Sequence, residues 1–391
     1  MLRAAEAWGE AASAVLALHG GLRGGCAMRS IWKAVDAMAE AEVRRAVADR
    51  QGLLRREVED FLRTECEALP QRRAELWKWD YSSVEAFLDS VRENREDWSR
   101  AVGVGPFSRP EPPLCPEFAP FFETDTIVAQ WLSLPFLGQY RARAVLAIPK
   151  RGNPPFPLVV AQHGIGSSPE RVFGFDDPEG IYHAYVRRLV EAGFAVLAPL
   201  NVTEARPRAR LQRMCLMLGG TLFGLEIRRT ERLLDYVQSR PDIDAGRMGM
   251  WGVSLGGAYV MFTMPLEPRL RAGVTTAWFN RRVAKMVVDD PRYSCFLSAD
   301  EEHVFIPGWL REFADSDLAS LICPRPLQIQ TGKCDSIAWW PLVVQEYEEA
   351  AEHYRRLGVA DRIELDLHEG GHEADIEAGI SFLRRWLMEE S

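Results

Sequence analysis

The sequence has no long apolar run, no block of like charge and no paired cysteines, and each gap closes off a class of protein. No stretch approaches the ~20 consecutive apolar residues of a membrane-spanning helix. The segment nearest to a secretory apolar region, residues 11–18, follows Glu6 and Glu10 where a basic stretch would stand, and Arg23 spoils a lipoprotein-like reading of Cys26. The expectation is a cytoplasmic protein with no membrane partner. The seven cysteines (Cys26, Cys66, Cys115, Cys215, Cys295, Cys323 and Cys334) are odd in number and contain no C-x-x-C pair, which fits reduced thiols used as small apolar residues. Lys and Arg number 47 against 56 Asp and Glu, a formal charge of -9 spread without like-charge tracts, which argues against nucleic acid as a partner.

What is present is an ordinary folded composition, 47% apolar and 26% charged, with enough apolar material for a sizeable core. Residues 1–105 read as a helical N-terminal region. Ile31, Trp32, Val35, Met38, Val43, Val47, Leu54, Val58, Phe61 and Leu62 recur at helical spacing and predict one buried stripe, with Gly52 marking a break or bend. A second helix is expected after Asp80, Ser82 or Ser83 as N-cap, carrying Val84, Phe87, Leu88, Val91 and Trp98. Six prolines between Pro106 and Pro120 make residues 106–120 a joint in which no regular element should survive. Over residues 121–391 two β-rich runs, 126–134 and 140–148, suggest a hairpin or meander. Six short apolar strands near 157–162, 194–197, 247–253, 272–278, 326–331 and 362–367 then alternate with helical stretches. That alternation predicts an α/β fold with a mainly parallel central sheet covered by helices on both faces, and a site at the carboxyl ends of the strands.

The strand near Met248 runs into Gly252-Val253-Ser254-Leu255-Gly256-Gly257, a G-x-S-x-G followed by helical sequence. Small neighbours at a cramped strand-to-helix turn are what a nucleophilic serine needs to present its hydroxyl. A serine requires a base, and the base an orienting carboxylate. His372 lies just past the last strand in His368-Glu369-Gly370-Gly371-His372, and Asp335 follows the strand 326–331 through a short loop, which gives the chain order Ser254, Asp335, His372. Gln162-His163-Gly164-Ile165-Gly166 ends the first central strand, so the amides of Ile165 and Leu255 are the candidate oxyanion donors, with His163 orienting the loop. The same histidine segment is formally H-E-x-x-H, a zinc pattern on a helix, but Ile363, Leu365 and Leu367 alternate as in a strand and two adjacent glycines disfavour a helix. No metal is expected.

With these residues in place the chain resembles the α/β-hydrolase superfamily, specifically a serine esterase-like group near dienelactone hydrolases and acetyl xylan esterases. Besides the elbow, Thr221-Leu222-Phe223-Gly224-Leu225-Glu226 with residues 233–244, and Ile306-Pro307-Gly308-Trp309-Leu310-Arg311 with residues 317–326, look like segments of that group, over about residues 120–388. The resemblance implies an α/β-hydrolase fold and a serine hydrolase that cleaves a carboxylic ester through an acyl-enzyme, with no cofactor and a small-molecule ester as partner. A carbon-carbon bond hydrolase or lactonase is the alternative on the same fold, and a non-catalytic binding protein a third. Ser254 where dienelactone hydrolase proper uses cysteine, and Cys334 with Ser336-Ile337-Ala338-Trp339-Trp340 around the acid, depart from the group. Trp309, Trp339 and Trp340 are the candidate substrate contacts. The N-terminal helices are expected either to pack on the catalytic domain or on a second subunit of a homodimer, or to wall the pocket as a cap.

Overall fold

Strand β4 (Phe156–Gln162) is apolar over most of its length and buried at every position. Leu158 and Val160 face one core while Val159 and Ala161 face another, the two-residue period of a strand covered on both sides. The structure is a computed structural model that describes residues 38–177 and 180–389. It divides into two units, residues 1–65 and 66–391.

The described part of the first unit is essentially helix α1 (Glu40–Glu67), whose last two residues belong to the second unit and which runs through Gly52 without a break. A Cβ at Gly52 would meet only Arg56 Nη1, at 3.5 Å, so nothing there forces a bend. Glu40–Arg44 at 2.7 Å and Glu59–Arg63 at 3.0 Å are i,i+4 pairs along its surface. The expected buried stripe is not found over this helix. Val47, Leu54, Val58, Phe61 and Leu62 are exposed, and Ala46 is its buried residue. Periodicity reports which residues share a face, not whether that face is covered. Ile31, Trp32 and Val35 lie outside the described residues.

The second unit is built on one nine-stranded sheet in the order β1-β2-β3-β5-β4-β6-β7-β8-β9. Strands β1 (Glu117–Glu123), β2 (Ile127–Leu137) and β3 (Tyr140–Pro149) form an antiparallel meander, and β3 joins β5 (Ala195–Pro199) antiparallel. Strands β5, β4, β6 (Ile243–Val253), β7 (Leu270–Thr276), β8 (Leu327–Gly332) and β9 (Ile363–His368) are parallel. Strand β1 overturns the expectation that nothing regular survives the proline-rich stretch. Pro120 sits on the edge strand of the sheet, where a missing N–H is tolerated, and the pairing with β2 shifts register between Pro120 and Phe122.

Helices α2 (Val84–Ser90, capped by Ser83) and α3 (Arg92–Val102) lie near the start of this unit and pack into its core. Phe87, Val91, Trp98 and Val102 are fully buried, and Trp98 Nε1 donates to Phe262 O at 3.1 Å. Further along, α4 (Tyr185–Glu191) and α11 (Ile376–Leu387) cover one sheet face. The opposite face carries α6 (Leu222–Val237), α7 (Leu255–Thr263), α9 (Asp315–Ile322) and α10 (Trp340–Arg356). Helices α5 (Ala205–Met217) and α8 (Arg282–Val287) were not expected. Among the described residues no helix is long and apolar enough to cross a membrane.

The connection after β4 leads to β5 on one side, while β6 lies on the other side of β4. Strands β4 and β6 therefore flank a topological switch point, and the crevice beyond their carboxyl ends is where open α/β sheets bind ligands. Gln162, the last residue of β4, pairs with Gly252, and Ser254 follows one residue after β6 ends.

Candidate active site

Ser254 takes the left-handed backbone conformation, φ 59 and ψ -122, between β6 and α7. That conformation strains any non-glycine residue, and it persists here because the turn is pinned by Ser254 N donating to Thr276 O at 2.9 Å. The elbow also demands close backbone approach. A Cβ on Gly252 would lie 2.1 Å from Gly256 O, and one on Gly256 would lie 2.0 Å from Gln162 O. The loop after β4 closes over the serine, since a Cβ on Gly164 would be 3.2 Å from Ser254 Cβ.

Asp335 and His372 come from the loops after β8 and β9, which are stitched together by Lys333 N to His368 O and Cys334 N to Gly370 O, each 2.9 Å. This brings His372 Nδ1 to 2.8 Å from Asp335 Oδ2, with the carboxylate fully buried and the imidazole partly open. The other carboxylate oxygen accepts from Ile337 N at 2.9 Å. The ring is thereby held by Nδ1, leaving Nε2 as the nitrogen available to a serine. Ser254 lies at the same sheet edge. Among the described residues its hydroxyl is not hydrogen-bonded to His372, a contact that tightens only in the substrate complex of many enzymes.

Leu255 opens α7, so its N–H has no acceptor within the helix. In the loop after β4, Gly164 N donates to Tyr182 Oη at 2.8 Å and Gly166 N to Thr203 O at 3.1 Å, on either side of Ile165. His163 is enclosed beneath this loop. Its Nδ1 lies 3.1 Å from Gly164 O and its Nε2 accepts from Asn201 N at 3.2 Å, and burial pushes its pKa down to about 4. A neutral, doubly engaged ring is what an orienting residue needs. The H-E-x-x-H segment is not helical: His368 ends β9 and Gly370 N donates to its Nδ1, while His372 lies in the following loop.

A cavity of about 50 Å³ adjoins Ser254. Its apolar wall includes Leu255, Trp278, Phe279, Phe296 and Ile337, and its polar wall includes Arg282, Lys285 and Glu301. The three tryptophans expected as substrate contacts are not among its lining residues. Trp309 is a core side chain, 1% exposed, packed on Phe262 and Trp98. Trp339 is covered by Arg292 at 3.6 Å, and Trp340 starts α10. The lining residues all come from Ser254 onward.

No family model matches the chain. "Putative hydrolase YtaP" of Bacillus subtilis (strain 168) is 25% identical over 308 residues, which span 75% of this chain and 99% of that protein. Among solved structures, a protein described as a putative acetyl xylan esterase from Bacteroides fragilis NCTC 9343 superposes with a TM-score of 0.60 at 16% identity, over 79% of this chain and 81% of the other. A CE15 glucuronoyl esterase from Teredinibacter turnerae T7901 gives 0.60 at 16% identity, over 80% and 90%. The chain has the α/β-hydrolase fold.

In this α/β-hydrolase fold several residues at the site escaped the sequence reading. Glu373 accepts from Gly371 N at 2.9 Å and contacts His183 at 2.6 Å, and these bonds hold its carboxyl below the usual range while fixing the loop that carries His372. Its adjacency to His372 in the chain was a signal, had the loop been asked what anchors it. Arg282, Lys285 and Glu301 come from the long excursion between β7 and β8, which has no periodicity to place them.

Proposed function

We propose that this protein is a serine hydrolase that cleaves a carboxylic ester through an acyl-enzyme. The observation that carries the reading is Ser254, at positive φ beside the β4/β6 switch point, on the same sheet edge as a histidine whose Nδ1 is bound to a buried aspartate at 2.8 Å. Ser254 Oγ attacks the acyl carbon as His372 Nε2 takes its proton. Asp335 keeps the imidazole in the tautomer that can accept there and stabilises the imidazolium that forms. The amides of Ile165 and Leu255 donate to the oxyanion of the tetrahedral intermediate. Collapse expels the alcohol, which receives the proton from His372. Water, deprotonated by the same nitrogen, then attacks the acyl-serine and releases the acid. The names of the structural neighbours, both esterases, support an ester over a carbon-carbon bond as the scissile group. A pocket of about 50 Å³ next to Ser254 favours a compact group on one side of that bond.

The test is hydrolysis of p-nitrophenyl acetate by the parent protein and by Ser254→Ala. The parent turns the ester over, and the variant loses at least ~10³-fold in kcat with an unchanged circular dichroism spectrum. A variant within a few-fold of the parent would overturn the serine mechanism.

A further inference from the structure

Lys285 is an expensive residue to bury. It is 6% exposed, on α8, in the wall of the cavity that Ser254 lines. Its ammonium donates to Ser294 O at 2.7 Å, Ser294 Oγ at 2.6 Å and Ile337 O at 2.6 Å. All three acceptors are neutral, so no carboxylate hydrogen-bonds to the charge, although taking an ammonium out of water costs several kcal/mol. A methionine would fill the same space without that penalty. The contacts explain what the charge does. Ile337 is the residue whose N–H donates to Asp335 Oδ1, at 2.9 Å, and Asp335 Oδ2 holds His372 at 2.8 Å. Lys285 thus grips the carbonyl of the peptide unit that follows the one gripping the acid. Ser294, its other partner, also donates from its backbone N–H to Ile337 O at 3.3 Å.

We propose that Lys285 is a positioning residue of the Ser254–His372–Asp335 site, clamping the 335–338 turn against Ser294 so that Asp335 stays aligned with His372. The inference rests on the serine-hydrolase reading. Three donors match three acceptors only while the amine is protonated. The neutral form has two N–H groups, so its loss of a proton releases one acceptor and loosens the turn. The charged and titratable groups facing it are Arg282 on its own helix, Asp335 on the clamped turn, and Cys295 and Glu301 on the segment after α8. Burial first, then Arg282, pushes its pKa down to about 8, against the opposing pull of Asp335 and Glu301. The site should therefore lose efficiency as the pH rises through this region.

The experiment measures the rate at which a fluorophosphonate probe labels Ser254 across pH 5–10, in the full-length parent, Lys285→Met and Ser294→Ala, with melting temperatures beside it. The parent is labelled with an alkaline fall near pH 8. Lys285→Met is labelled about 10²-fold more slowly, the scale expected when a reacting group is displaced by about 1 Å, and the alkaline fall disappears. Ser294→Ala, which deletes one acceptor and leaves the fold's apolar contacts alone, moves the fall to lower pH. Should Lys285→Met not fold, that shift decides the matter. Labelling of Lys285→Met within threefold of the parent, or a fall in Ser294→Ala unmoved from the parent's, overturns the positioning role while the serine mechanism stands. A parent that is not labelled at all overturns both.

Discussion

The helical face behind the sheet and the carboxyl edge above it bury charge in opposite ways. Behind the sheet, Arg208 on α5, Glu226 on α6 and Tyr259 on α7 form a cluster in which Arg208 bonds Glu226 at 3.1 Å and Tyr259 at 3.0 Å, and Tyr259 bonds Glu226. Side-chain exposure there is 0% for Arg208 and 3% for Glu226. At the edge, Asp335 is as deeply buried, but its partner His372 retains 21% exposure. The first cluster joins three helices and has no reactive group left over. The second leaves one side of its imidazole free and is held by loops. Damage to the first should cost stability and spare chemistry in whatever remains folded; damage to the second should do the reverse.

The strongest way to break that division is to remove the N-terminal part of the helical face. A chain beginning at Cys66 should keep its melting temperature within a few degrees, because the second unit begins there. A chain beginning at Pro110 should show no cooperative melting. It loses Trp77, Phe87, Val91, Trp98 and Val102, each 5% exposed or less, and at ~2–5 kcal/mol for each large side chain this exceeds a typical stability of ~5–15 kcal/mol. A soluble, active Pro110 chain would show that these helices are dispensable ornaments.

At the edge, Asp335→Asn and His372→Ala should each lower kcat by about 10³ to 10⁴, the double variant no further than the worse single one, and melting temperatures should stay near the parent's. Additive losses would show that the two do not act as one unit. On the helical face, Glu226→Gln should destabilise by about 3–5 kcal/mol in urea unfolding, since it leaves Arg208 charged and buried without its carboxylate. Its turnover per folded molecule should stay within a few-fold.

The smallest effect concerns His353, which is buried on α10 and bonded through Nδ1 to Tyr81 Oη at 2.8 Å. Burial, with help from Arg356, pushes its pKa down to about 4, whereas an unfolded histidine titrates near ~6.5. On acidification the unfolded chain takes up this proton first, so the stability tied to the neutral ring is complete above about pH 6.5 and is lost as the pH falls towards 4. Glu231, Asp317 and Glu346, pushed up by burial to about 7, 6 and 7, act with the opposite sign, losing stability as the pH rises. The difference between parent and His353→Phe isolates the one group. Between pH 7 and 4 the parent should lose up to ~3 kcal/mol more than the variant. Parallel stability curves would place the proton elsewhere.

The same division separates what could be read in the sequence from what could not. Strands β4 and β6 were legible because runs such as Leu158–Ala161 and Met248–Val253 are apolar and bounded by turns. The elbow was legible because it follows such a strand directly, and the candidates Asp335 and His372 because each follows a strand through a short loop. Helix α5 was missed because its buried face is made of Arg208 and Gln212 beside Ala209 and Cys215, residues that read as solvent-facing until their partners are known. Strand β1 was missed because its exposed, proline-containing sequence lacks alternation and its pairing comes entirely from β2. Trp309 was misplaced for the opposite reason: a large aromatic near a loop looks like a pocket wall, and only the packing of Trp98 and Phe262 shows it to be core.

In the proposed reaction Ser254 carries the acyl group between the two halves. Rapid acid quenching during turnover of p-nitrophenyl acetate, followed by mass analysis of the peptides, tests it directly, because an activated ester acylates the serine quickly and lets the acyl-enzyme accumulate ahead of its hydrolysis. An acetyl adduct is expected on the peptide that contains Ser254, absent from Ser254→Ala. Turnover by the parent with no adduct on that peptide, or with the adduct on another residue, would contradict it.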